Sequence, residues 1–232
     1  MKFRCGVAAI AIALVTTGAA QERLILEPVF TDASRLERDW TLDGSGAWTM
    51  GGGLLALVKA GTPAGPIRRP SAIAVLNSPI FGDVTLEVDV RSTAEMPDVT
   101  PRRDVLLIAG YQSPTRFYYA HISSVRDDVH NGIFLVHDAD RRRIDTASAT
   151  APLVDREWHR ARLVRDAASG AIAVYFGTSD APVMTATDRT LPTGRVGVGS
   201  FDDTAEFRRV RVLARTIQEG LNSPPFGLRL RL

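Results

Sequence analysis

The residues best suited to chemistry fall between Phe117 and His137. Phe117, Tyr119, His121, Ser123, Asn131 and His137 bring rings, imidazoles, a hydroxyl and an amide into one short stretch. A ring to stack on, with in-plane donors and acceptors beside it, is what a sugar needs from a protein. Tyr119 and His121 form the leading pair, with Tyr111 and Gln112 beside them at the end of the preceding apolar run; the alternative, of equal weight, is that Tyr119 and His121 satisfy each other inside the protein. His130 and Asn131 complete the substrate-binding set. Arg126, Asp127, Asp128 and His130 form the densest ionisable group nearby. Asp127, Asp128 and His130 can take a divalent cation, or a carboxylate can work with His130 as acid or base. An ordinary polar hairpin tip accounts for them equally.

A second candidate is Glu87-Val-Asp89-Val-Arg91. On a strand, Glu87 and Asp89 share a face about 7 Å apart, near enough to divide acid and base work. The alternative is a solvated strand face with Asp89 and Arg91 paired. Asp202-Asp203 is a candidate structural calcium site or a plain acidic turn, and no other cofactor is required. The catalytic candidates are therefore Glu87, His121 and Asp128. No Gly-x-Ser-x-Gly elbow and no phosphate-cradling glycine loop before a helix occurs, which argues against serine hydrolases and nucleotide enzymes.

The elements that must hold these residues are strands. Asp83–Arg91 alternates, with Val84, Leu86, Val88 and Val90 on one side and Thr85, Glu87, Asp89 and Arg91 on the other. Similar runs occur at 48–50, 54–59, 72–77, 104–112, 116–124, 130–137, 158–165, 171–176, 183–187, 195–201 and 205–213. With Val125–Val129 as a hairpin loop, Ser123 falls opposite Asn131 and Tyr119 opposite Leu135. That register groups Phe117, Tyr119, His121 and Asn131 with Ile133 and Leu135. It sends Tyr118, Ala120, Ile122, Phe134 and Val136 to the core. About a dozen short strands without a convincing helix read as an all-β antiparallel two-sheet sandwich or jelly roll.

Charge and the chain ends narrow the class. Lys2 and Arg4 precede an apolar run from Cys5 to Val15, then small residues to Ala20. This predicts a cleaved signal peptide over 1–20, a sandwich domain over 21–215 and a tail over 216–232. The expected location is the periplasm or the extracellular space. Removing Lys2 and Arg4 from the 28 basic residues leaves 26, equal to the 26 acidic ones. A neutral chain without interleaved aromatics on a basic face argues against nucleic acid, and no later run is long enough to span a membrane. Arg141-Arg142-Arg143 reads as a solvated strand edge. His159 reads as scaffold. The Leu228–Leu232 alternation is a frayed end or a docking strand.

Trp158-His159, the Ser169-Gly170 turn, Val174-Tyr175-Phe176 and Gly194–Ser200 resemble the C-terminal half of a laminin G-like, concanavalin A-like jelly roll. With Trp48, Gly51–Leu55 and Phe81–Glu87, the order over 28–214 is similar to the 3-keto-disaccharide hydrolase domain family, relatives of the family-16 glycoside hydrolases. The resemblance implies a groove on a concave sheet and a carbohydrate partner. It also implies a glycoside or 3-keto-glycoside hydrolase, or a non-catalytic glycan-binding or envelope-adhesion module. Arg91 stands where family-16 enzymes carry a third acid.

Overall fold

Alternation along Val84–Ser92 is realised as expected, with Val84, Leu86, Val88 and Val90 at most 2% exposed. The computed structural model describes residues 22–62, 65–95, 103–149, 152–215 and 217–218. The expected signal peptide lies outside these residues. So does the tail expected over 216–232, apart from Ile217 and Gln218, and so does the Leu228–Leu232 alternation.

All twelve runs form strands, joined by six short ones. In chain order the first are β1 (Arg23–Leu26), β2 (Trp40–Gly44), β3 (Ala47–Gly51), β4 (Leu54–Lys59), β5 (Ala72–Leu76) and β6 (Ile80–Phe81). Then come β7 (Val84–Ser92), β8 (Asp104–Ser113), β9 (Arg116–Ser123), β10 (Gly132–His137), β11 (Arg142–Arg143) and β12 (Asp145–Ser148). The last are β13 (His159–Arg165), β14 (Ala171–Phe176), β15 (Met184–Thr187), β16 (Arg195–Ser200), β17 (Ala205–Ala214) and β18 (Ile217–Gln218). The nine-stranded sheet runs β12-β15-β14-β13-β7-β17-β4-β3, with β1 also on β17. The seven-stranded sheet runs β11-β10-β9-β8-β16-β5-β2. All pairings are antiparallel. β18 pairs with β6, so backbone pairing reaches into the stretch expected as tail.

The two sheets pack face to face over one core. Leu86, Val88, Leu163 and Phe207 come from the larger sheet; Leu107, Tyr118, Ala120 and Val198 come from the smaller. The smaller sheet also buries its far face. Ile73, Val75, Leu106, Ile108, Tyr111, Phe117, Tyr119, Phe134 and Val136 form a second apolar cluster there, with Ile67 packed on it.

The hairpin register differs from the expected one by a single residue. His121 lies opposite Gly132, Tyr119 opposite Phe134 and Phe117 opposite Val136. Ile133 and Leu135 therefore enter the sandwich core, while Phe134 and Val136 join the second cluster. A one-residue slip turns every side chain of a strand over. Both faces of β10 are apolar, so its composition could not choose between them. Only the pairing does.

Candidate functional site

The β9–β10 hairpin ends in a tip built on Asp127. Its Oδ1 accepts the backbone N–H groups of Val129 (2.9 Å) and His130 (2.8 Å) and lies 2.7 Å from His130 Nδ1. Burial works against the charge, but the Val129 and His130 donors outweigh it and hold the Asp127 carboxyl at about 2. Arg143, from β11, brackets the tip from the side. Its Nη1 donates to the carbonyls of Asp127 and His130, its Nη2 to the carbonyl of Asn131 at 3.0 Å, and its Nε sits 2.8 Å from Asp145. Gly132 makes this possible, because a Cβ there would lie 2.7 Å from Asp145 Oδ1 and 2.8 Å from Arg143 Cζ. Beside the bracket opens a cleft of about 520 Å³, lined by Arg126, Asp127, Asp128, Arg143, Asp145 and Ser148, among others. Arg143 spends its donors on the tip carbonyls and Asp145, so the groups the cleft walls turn to solvent are the exposed side chains of Arg126 and Asp128 and the outer edge of Asp127.

Several expected site residues are not in that cleft. Tyr111, Tyr119 and His121 are 2%, 0% and 1% exposed, so none presents a ring to solvent. The far face of the smaller sheet is covered rather than open. Ile67 packs on it, and the Arg68 carbonyl accepts from the Arg141 backbone N–H. The Arg141 guanidinium donates to the Tyr119 hydroxyl at 3.0 Å and lies over the rings of Phe134 and Phe201. Arg195 lies over Tyr111, whose hydroxyl donates to Asp43. Arg141 and Arg143 are thus structural brackets, not a solvated edge. The guanidinium stems and planes cover apolar surface while keeping charge near water.

Asn131 is also buried. Its amide donates to Ala149 O, its oxygen accepts from the Ser123 N–H, and its φ of 48° turns the hairpin, so its side chain is spent on shaping the tip. Gln112 is exposed but donates to the Thr193 carbonyl. Glu87 stands on the outer face of the other sheet, 2.9 Å from Arg211 and 3.8 Å from Arg160. The sandwich separates it from the hairpin tip, and Glu87, His121 and Asp128 do not form one catalytic group. Asp89 pairs with Arg160, Arg208 and Arg209, while Arg91 pairs with Glu206. His159 is scaffold as expected, bonded to Asp155 and stacked on Phe176.

Asp202 and Asp203 acquire a partner the sequence reading passed over. Asp104, at the start of β8, brings carboxylate oxygens of all three within 4.8 Å. Asp104 is buried yet held below the usual carboxylate range. The desolvation is outweighed by His121 and by donation from Phe201 N–H and Ser200 Oγ. Asp203 behaves oppositely: burial, then the charges of Asp104 and Asp202, push it up to about 7. Its Oδ2 is buried without a hydrogen-bond partner. His121 Nε2 is likewise unpartnered, 3.9 Å from Asp104 Oδ2, while its Nδ1 faces the Val129 carbonyl at 3.2 Å. An orphaned carboxylate oxygen among acids fits a hard cation with oxygen ligands. Asp104 carries no sequence signal of this role, since it reads as the polar end of an apolar strand.

Solved structures share this architecture. A carbohydrate-binding module CBM66 from Bacillus subtilis superposes with a TM-score of 0.56 at 17% identity, covering 74% of this chain and 93% of that one. The fold is a concanavalin A-like jelly roll. A Bacillus subtilis protein of unknown function with a galectin-like fold gives 0.54 at 15% identity, over 83% of this jelly roll and 97% of that chain. Winged bean acidic lectin, solved with methyl-α-D-galactose, gives 0.55 at 10% identity, over 86% and 100%. No family model and no curated protein matches the jelly roll's sequence, so the 3-keto-disaccharide hydrolase family finds no support there.

Proposed function

We propose that the protein is an exported, non-catalytic glycan-binding jelly roll that holds its sugar at the hairpin tip. The observation that carries this reading is the open polar cleft of about 520 Å³ at Arg126, Asp127, Asp128 and Arg143. The backbone around it is held by the Asp127 bonds and the Arg143 bracket, so the tip keeps its shape when hydroxyls replace water beside Arg126 and Asp128. The architecture is one that lectins and a carbohydrate-binding module also use, which supports the sugar class by analogy of fold. Against catalysis stands the state of the acids: a glycosidase works with a pair of available carboxyls across the scissile bond, whereas Glu87 is on β7 of the larger sheet, and the carboxyls beside Asp128 in the cleft, Asp127 and Asp145, are tied to backbone N–H groups, His130 and Arg143. The signal peptide expected over 1–20 from the sequence supports export to the periplasm or beyond.

Asp104, Asp202 and Asp203 would hold a structural calcium, which would satisfy the Asp203 oxygen and tie the start of β8 to the turn after β16. The hydrolase reading keeps one observation: a carboxyl at about 7, Asp203, lies in the range of a general acid. One experiment separates the readings. The protein is titrated with a panel of neutral oligosaccharides by calorimetry, and the samples are then read for cleavage by mass spectrometry. Binding without cleavage, weakened at least tenfold in Asp128→Asn, is expected. Turnover lost in Asp203→Asn would establish the hydrolase. Binding unchanged in Asp128→Asn would remove the hairpin tip as the site.

A further inference from the structure

The outer face of β7, β13 and β17, on the other side of the molecule from the second cluster, has an unbalanced charge. Six guanidinium groups, those of Arg91, Arg160, Arg162, Arg208, Arg209 and Arg211, stand with three carboxylates, Glu87, Asp89 and Glu206. Strand faces are ordinarily stabilised by opposite charges across the ladder, and like charges side by side destabilise them. Here three arginines converge on Asp89 alone: Arg160 at 2.6 Å, Arg209 at 3.3 Å and Arg208 at 3.6 Å. Arg208 Nε is buried without a hydrogen-bond partner. Arg162 makes no ion pair among the described residues and lies 4.0 Å over the Tyr175 ring.

The backbone is bent to produce this crowding. Arg208 pairs with Asp89 and Arg211 with Glu87, so β17 carries one residue more than β7 between them. The extra residue is a β-bulge, and Arg209 takes it with a φ of 49°. That region is unfavourable for a side chain as long as arginine. Without the bulge Arg209 would point into the core; with it, Arg208 and Arg209 both face outward and Val210 stays buried. Trp158 is flanked by Arg91 and Arg208 at 4.8 and 4.0 Å, and Tyr175 backs Arg162, so aromatic planes hold the guanidiniums in fixed orientations. A cleft of about 180 Å³ opens on the same face, lined by Arg160, Arg162 and Tyr175 and also by the carboxylates Glu87 and Asp180, so the surplus of positive charge lies along the strands rather than in the cleft.

We propose that this face binds an acidic polysaccharide, its carboxylates received by the surplus arginines along β7, β13 and β17. The polymer class rests on the glycan-binding reading; the site does not. Planar, pre-oriented guanidiniums match carboxylates in a two-point geometry. A membrane surface fits less well, because the large exposed apolar side chains bordering this face are two separate residues, Leu24 on β1 and Val58 on β4, too few to anchor in lipid.

The test uses the full chain and three probes: polygalacturonate, neutral dextran, and vesicles containing anionic phospholipid. Variants are Arg162→Gln/Arg208→Gln/Arg209→Asn, in which asparagine tolerates the positive φ, and Arg162→Gln alone should the triple variant fail to fold. Polygalacturonate is expected to bind at low salt, to release at about 0.5 M salt, and to bind the triple variant at least tenfold more weakly with neutral-glycan binding at the hairpin tip intact. Arg162→Gln alone should weaken it about threefold. Polygalacturonate binding that survives the folded variants overturns the proposal, as does binding to vesicles only or to no probe. Polygalacturonate binding lost in the variants, with no neutral glycan bound anywhere, upholds the arginine face and overturns the hairpin-tip reading instead.

Discussion

Asp127 shows how one carboxylate organises a loop. It accepts two backbone N–H groups and meets His130, and its folded pKa of about 2 lies below the value near 3.9 of an unfolded aspartate. A depressed carboxyl adds stability that is complete above about pH 4 and vanishes as the pH falls towards 2. Asp127→Asn keeps an Oδ1 acceptor for the backbone and removes only the charge. Thermal melts of both proteins from pH 7 to pH 2 should show wild type ahead at neutral pH and the two curves merging below about pH 3. A gap that persists at pH 2 would place the variant's defect in shape, not charge. Asp127 was legible as a candidate because acids cluster beside a histidine. Arg143 was not, because an arginine in a run of three arginines has no sequence mark that separates a bracket from a solvated side chain.

At the scale of elements, the seven-stranded sheet is decided by what covers it. β8 and β9 bury almost every residue on both faces, which alternation cannot signal. The polar members Tyr119 and His121 looked like an open sugar platform because their types suit one. The Arg68–Arg141 contact and Ile67 close that face instead. Arg141→Ala would strand the buried Tyr119 hydroxyl and remove a guanidinium from two rings. Loss of a partner by a buried polar group costs about 1–3 kcal/mol, which for a chain of this size lowers the melting temperature by roughly 2–10 °C. Urea unfolding should show that loss while neutral-glycan binding at the hairpin tip persists. An unchanged midpoint would mean that the covering is not held by Arg141.

At the scale of the whole molecule, two sheets are joined by connections that place distant acids together. Asp104 lies 98 positions before Asp202, and only the pairing of β8 with β16 brings them into contact. Calcium that binds the folded chain alone stabilises it by about 2.7 kcal/mol at a hundredfold excess over its dissociation constant, or roughly 5–10 °C. Melting with calcium and with chelator should differ by that amount in wild type and coincide in Asp203→Asn. Equal shifts in both proteins would exclude Asp203 as a ligand. The sequence by itself determined twelve of the eighteen strands among the described residues and the jelly-roll class, because period-two alternation and turn residues are local properties of the backbone. It also determined the side of each strand wherever one face was apolar and the other charged, as on β7. The tertiary structure alone decided the β10 register, the burial of Tyr119 and His121, and the meeting of Asp104 with Asp203. Each depends on which surface another segment covers, and covering is a non-local contact that no window of sequence contains.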